Sequence, residues 1–196
     1  MQMNKKRIIK SGFWCVLFIA VLIFLDQYTK HLATDKLMGK DAVDLISGVL
    51  QFTFVGNKGI AWGMLWDKIN FVVILTTIIS ILLLFLIFKI DLRINFYIEN
   101  NVEKLSSKIK TLKVLQIIFL VMFSGAVGNL IDRIRIGYVI DFIYIKLINF
   151  PVFNVADIFV TLSMVALIIL CLFRIDENEI YDLFKPASKW SIEKWI

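Results

Sequence analysis

Twenty consecutive residues, Ile69 to Phe88, carry no charged side chain. As a helix rising about 1.5 Å per residue, such a run spans a hydrocarbon layer of about 30 Å. A run like this is too long for an ordinary buried strand and too apolar for a helix with one face in water. Three further apolar runs lie near 12–28, 113–131 and 155–173. With 59% hydrophobic residues and a mean hydropathy of +0.80, the 196-residue chain is more apolar than soluble domains are. The expected fold is an all-α membrane protein, a single four-transmembrane-helix bundle. Outer loops are expected at 29–68 and 132–154, an inner loop at 89–112 and a tail at 174–196.

The net charge of +6 does not indicate a nucleic-acid partner, because the basic residues sit mostly between apolar runs. Lys5, Lys6, Arg7 and Lys10 precede the first run, as they would in a cleaved signal peptide. That run ends in Asp26-Gln27-Tyr28-Thr29-Lys30 rather than a small-residue cleavage site, so a retained helix is expected. Four spans put both termini on one side. Lys and Arg number 14 in the termini and the middle loop against 8 in the other two loops, which makes the termini cytoplasmic. Cys15 and Cys171 both lie inside apolar runs and read as packing residues, neither a disulfide nor a metal pair.

The middle loop, with Glu99, Glu103, Lys104, Lys108, Lys110 and Lys113, reads as a solvated helical or flexible connector. Between spans 1 and 2, Leu50 to Val55 alternates as a short strand, and Gly56-Asn57-Lys58-Gly59 reads as a turn. Trp62, Met64, Leu65 and Trp66 form an amphipathic piece suited to the outer headgroup level. The tail, with Trp190 and Trp195, reads as a cytoplasmic segment without catalytic content.

The polar residues near the span ends carry the functional signal. Transmembrane carboxylates are costly and mark functional sites. Helix rise separates Lys10 from Asp26 by about 24 Å, Lys113 from Asn129 by about 24 Å and from Asp132 by about 28 Å, and Arg174 from Asp157 by about 26 Å. Topology thus gathers Asp26, Asn129, Asp132 and Asp157 into one layer at the outer edge, with Asp141 in the loop between spans 3 and 4. Asn129 and Asp132, and likewise Asn154 and Asp157, share a helix face at i and i+3. Simpler readings stand beside this one. Asn154 can be an N-cap with Asp157 in the first turn, and Asp26 can make a surface pair with Lys30. Asp132 at a helix C-terminus needs a partner, for which Arg133 is a candidate. Gly125 and Gly128 allow close helix approach.

The lone histidine, His31, belongs to no recognisable motif, and no His/Cys cluster or phosphate loop is present, so no metal or cofactor is expected. Carboxylates remain. Two that converge in a partly dehydrated pocket share a proton, one acting as base on a water and the other donating to a carbonyl.

Five blocks carry a resemblance over nearly the whole chain: Asp26-Gln27-Tyr28-Thr29-Lys30, Asn57-Lys58-Gly59-Ile60-Ala61-Trp62, Gly125 to Arg133, Val139-Ile140-Asp141-Phe142 and Phe153-Asn154-Val155-Ala156-Asp157. In this order and within four spans, the chain resembles the lipoprotein signal peptidases, also called signal peptidase II. The resemblance implies a bacterial inner-membrane aspartyl endopeptidase that cleaves prolipoproteins N-terminal to a diacylglyceryl cysteine, with Asp141 and Asp157 as its dyad. It implies a small extracytoplasmic β-cradle and an interfacial helix. It also implies supporting or substrate-binding roles for Asp26, Lys30, Asn57, Gly59, Asn129, Asp132, Arg133, Asn154 and Ala156. Among these, Asn129 and Asn154 would orient the dyad or substrate, Asp132 would pair with Arg133, Asp26 would order the outer end of span 1, and Asn57 would contact the lipopeptide. Apolar walls such as Phe142, Trp62 or Met64 would suffice for the acyl chains. Prolipoprotein and membrane lipid are the expected partners of a monomer.

Two other classes remain: a proton- or ion-coupled transporter with an aspartate relay, and a non-enzymatic scaffold with capped surface acids. A relay needs polar groups through the bilayer depth, whereas these occupy one outer layer.

Overall fold

A computed structural model of the protein describes residues 4–59, 69–99 and 106–174. Among these residues four helices are long and apolar enough to cross a membrane. Helix α1 (Lys5–Leu37) starts at Asn4, whose side chain accepts hydrogen bonds from the Lys6 and Arg7 backbone N–H groups. It runs well past the expected span end near 28. Asp26, Lys30, Ala33 and Leu37 recur every three to four residues and form one buried stripe, so the charges that mark a loop in sequence are interior groups of the helix. Helix α3 (Ser106–Ile136) overruns its expected end in the same way, with Gly125, Gly128, Asn129 and Asp132 buried.

Helix α2 (Ile69–Glu99) corrects the expected connector. Residues 89–99 continue the helix, and Ile90, Asp91, Arg93, Ile94, Asn95, Phe96 and Tyr97 are buried. Several of their polar groups find partners in place. Asp91 accepts from Ser11 Oγ, from Gln116 Nε2 at 3.1 Å and from Asn95 Nδ2 at 3.2 Å. The Arg93 guanidinium lies over the Tyr97 ring while its Nε donates to Tyr97 Oη at 2.9 Å. Satisfied in this way, ionic groups can be buried where an unpaired charge could not be. Glu103 and Lys104, residues 62–66 and the tail beyond 174 lie outside the described residues.

Helix α3 packs against α1, α2 and α4 (Val155–Phe173). The apolar core occupies the half of the bundle that holds the N-terminus of α1, built from Leu83, Ile87, Ile90, Leu115, Phe119, Leu170 and their neighbours. At the other end lies a three-stranded antiparallel sheet, β1 (Val43–Ile46), β2 (Leu50–Asn57) and β3 (Val139–Ile145), in that spatial order. The strand expected over 50–55 extends through Gly56 and Asn57, so the turn expected at 56–59 is confined to 57–59, where the Gly59 N–H donates to Asn57 Oδ1. Gly56 keeps to the strand with the Tyr138 ring covering it: an added Cβ would stand 3.1 Å from that ring. Ala33, Leu37 and Phe142, with Phe52, Phe54 and Val155 around them, join the sheet to α1 and α4. Phe142 is only 8% exposed in that cluster, packed between the sheet and the helices.

Candidate active site

Asp141 is placed by strand pairing and not by the loop expected between spans 3 and 4. In the β2–β3 register Val55 faces Asp141 and Asn57 faces Val139, which sets Asn57 and Asp141 diagonally on one face of the sheet. Asn57 Nδ2 donates to Asp141 Oδ2 at 2.9 Å, and Asn57 Oδ1 accepts from the Gly59 N–H at 2.9 Å. After β3, a 3-10 turn (Lys146–Ile148) and Asn149, in the left-handed region at φ 50, reverse the chain. Phe153 then bridges back to Ile143, its carbonyl accepting from Phe142 and Ile143 N–H. That bridge brings Asn154, the next residue, alongside Asp141.

Asn154 opens α4 through a capping box. Its Oδ1 accepts from the Asp157 N–H at 2.9 Å, and its own N–H donates to Asp157 Oδ2 at 3.1 Å. The same side chain turns its amide the other way: Nδ2 donates to Asp141 Oδ1 at 2.7 Å and to Asn129 Oδ1 at 3.0 Å. Asn129 Nδ2 donates to Asp157 Oδ1 at 2.8 Å. The capping reading of Asn154 and the site reading therefore hold together. One asparagine both starts the helix and ties the two carboxylates to each other.

Behind this layer lies a buried ionic cluster. Lys30, 1% exposed, brings Nζ to 2.9 Å from Asp26 Oδ2, 2.9 Å from Asp132 Oδ2 and 2.8 Å from Asn129 Oδ1. Asp26 Oδ1 accepts from the Ala156 N–H at 3.0 Å, which anchors the first turn of α4 to α1. Asp26 and Lys30 are thus a buried i, i+4 pair and not a surface one. Nor is Asp132 paired with Arg133. Its partners are Lys30, Gln27 Nε2 at 3.0 Å and the Ile140 N–H at 3.3 Å, while Arg133 reaches the Gly59 carbonyl at 3.3 Å. The helix trajectory decides this, since adjacent residues on α3 point about 100° apart. Gln27 also donates to Asp26 and to the Gly128 carbonyl. Sequence reasoning gives it no role, although its place inside a matched block is a signal. Gly128 permits the approach, because an added Cβ there would collide with the Asp26 carboxylate.

Asp141 is 1% exposed, while Asp157 is half-buried. Burial first, then the neighbouring Asp157 carboxylate, push Asp141 from 3.8 up to about 7, against the pull of Asn57, Asn154 and Lys30. A carboxyl poised near neutrality beside an ionisable partner can hold a proton that the pair shares.

The model of the family described as signal peptidase (SPase) II matches residues 18–173. The chain belongs to the signal peptidase II family. The whole network from Asp26 to Asp157 falls inside the matched range. As a signal peptidase of this family, the chain is 35% identical over 160 residues to the lipoprotein signal peptidase of Caldanaerobacter subterraneus subsp. tengcongensis, covering 81% of this chain and 96% of the relative. It is 32% identical over 169 residues to the lipoprotein signal peptidase of Staphylococcus aureus strain Newman, covering 85% and 91%. Two solved structures of a bacterial membrane enzyme, obtained by the in meso method, share the fold. The one at 2.3 Å has a TM-score of 0.63 and 31% identity, covering 81% of this chain and 87% of its own. The one at 1.9 Å has a TM-score of 0.62 and 30% identity, covering 82% and 94%. The protein is a multi-pass membrane signal peptidase of bacterial type.

Proposed function

We propose that this signal peptidase is an aspartyl endopeptidase that cleaves diacylglyceryl-modified prolipoproteins on the N-terminal side of the lipidated cysteine, with Asp141 and Asp157 as its catalytic dyad. The observation that carries the reading is the shared Asn154, which donates to Asp141 and caps the helix that presents Asp157. In the reaction, the ionised carboxylate takes a proton from water as the water oxygen attacks the scissile carbonyl. The protonated partner donates a hydrogen bond, then the proton, to the carbonyl oxygen. Collapse of the tetrahedral intermediate breaks the C–N bond: the carboxyl that took the water's proton passes it to the leaving amine, and one hydroxyl of the intermediate returns its proton to the other aspartate, restoring the pair. Asn57, Asn129 and Asn154 hold the carboxylates by hydrogen bonds. Arg133 donates to the Gly59 carbonyl beside the layer, and in this reading the two contact the substrate backbone.

The basic residues favour an orientation with the sheet end outside. Lys5, Lys6, Arg7 and Lys10 begin α1 and Lys108, Lys110 and Lys113 begin α3, all at the end opposite the dyad, which is then cytoplasmic. The scissile bond of a signal helix anchored by its acylated cysteine would reach the dyad at the outer surface, with the acyl chains left in lipid. The protein acts as a monomer in this scheme. Purified protein incubated with a diacylglyceryl prolipoprotein should release the signal peptide and leave an N-terminal lipidated cysteine, read by mass. A cut at any other bond, or equal cutting of unlipidated precursor, would reject the assignment.

A further inference from the structure

Lys30 is fully enclosed, and its three ammonium protons meet three acceptors: Asp26 Oδ2, Asp132 Oδ2 and Asn129 Oδ1. The third of these has a consequence for the dyad. An asparagine amide is asymmetric, so a cation on Oδ1 requires Nδ2 to point the opposite way. In Asn129 that way leads to Asp157 Oδ1 at 2.8 Å. Turned over, Asn129 would set its NH2 against the Lys30 ammonium and against the donating Nδ2 of Asn154, and its oxygen against the Asp157 carboxylate. All three contacts would repel. The ammonium, with Asn154 as a second donor, therefore selects one amide orientation and through it the position of the Asp157 carboxylate.

Resting on the dyad reading, we propose that Lys30 is a positioning residue for catalysis, acting on Asp157 through the Asn129 amide. Lys30 touches neither carboxylate of the dyad, so its effect is indirect. It also contributes to the field at the dyad. Among the described residues, the charged groups around Asp141 are Asp26 and Lys30 from α1, Asp132 and Arg133 from α3 and Asp157 from α4, with the neutral amide of Asn57 from β2. Lys30 is one of two cations among them, and its charge favours the ionised form of Asp141. Without it the pair should keep its shared proton to higher pH.

The test compares wild type, Lys30→Met and the double variant Lys30→Met/Asp26→Asn in cleavage of a diacylglyceryl prolipoprotein by the full chain. The double variant removes one anion with the cation, and an asparagine oxygen at position 26 can still accept from Ala156, so it keeps the fold within reach. Both variants should lose about a hundredfold in kcat with KM little changed, as expected for a mispositioned catalytic group. The alkaline limb of the pH profile should move to higher pH in Lys30→Met and return toward wild type in the double variant. A folded double variant with wild-type kcat overturns the proposal, as does a loss confined to KM or an unmoved limb in Lys30→Met. Failure of both variants to fold overturns it too, because Lys30 is then only architectural. Cleavage by Asp141→Asn or Asp157→Asn in the same assay would instead sink the dyad reading, and the proposal with it.

Discussion

Asn154 and Asp141 are joined by a 2.7 Å hydrogen bond, the asparagine Nδ2 donating to carboxylate Oδ1, while the other face of Asn154 caps the helix whose first turn holds Asp157. The pair makes helix initiation and carboxylate placement a single event. A change that perturbs the start of α4 must perturb the dyad.

Asp141→Asn and Asp157→Asn should each lower cleavage by about 10²–10⁴-fold, since each removes a proton carrier from the transition state. An asparagine at 157 retains an oxygen for the Asn154 N–H but sets its NH2 against the Asn129 amide, so the thermal unfolding temperature in detergent should drop modestly while the bundle stays folded. Mass analysis of the lipopeptide product gives the rate.

Activity should fall as pH rises through about 7, the value to which burial and the Asp157 carboxylate push Asp141, because the shared proton is then lost. Stability follows the same sign. A carboxyl at 3.8 unfolded and about 7 folded binds its proton more tightly in the native state. Its contribution is therefore complete below about pH 4 and is lost as pH rises to about 7. A plot of Tm against pH should slope downward across that window in wild type and flatten in Asp141→Asn.

Gly125→Ala should destabilise the bundle by about 1–3 kcal/mol, as overpacking does. The new Cβ would lie 2.5 Å from the Ala156 carbonyl and 2.9 Å from a Val160 methyl, so α3 and α4 must separate. Thermal unfolding measures the loss, and kcat should fall with it because Ala156 neighbours Asp157.

Asp91→Ala removes the acceptor shared by Ser11, Asn95 and Gln116 at the far end of the bundle. Stability should drop by about 3 kcal/mol as these donors are orphaned, while kcat of the folded fraction stays that of wild type. A fall in kcat would tie this cluster to the dyad.

Much of the site is legible in sequence because its members lie in short blocks whose depth follows from helix rise alone. Asp26, Asn129, Asp132 and Asp157 do share one layer with Asp141. The pairing within that layer is not legible. Arg133 looks like the partner of Asp132 because it is adjacent in sequence, yet Lys30 takes that place from another helix. Likewise Lys89 to Arg93 read as a loop because charges usually mark loops. The Ser11, Asn95, Gln116 and Tyr97 side chains that bond Asp91 and Arg93 help make burial tolerable there.

By itself the sequence determined the four spans, because crossing lipid is a property of consecutive residues: each spanning stretch must satisfy its own backbone and stay apolar through the hydrocarbon. It also determined which polar residues are available in the dyad layer. Tertiary structure alone decided their partners, the strand that carries Asp141 and the buried network at the opposite end. Those outcomes rest on contacts such as Lys30 to Asn129 and Ala156 to Asp26, 99 and 130 residues apart, which exist only once the helices have packed.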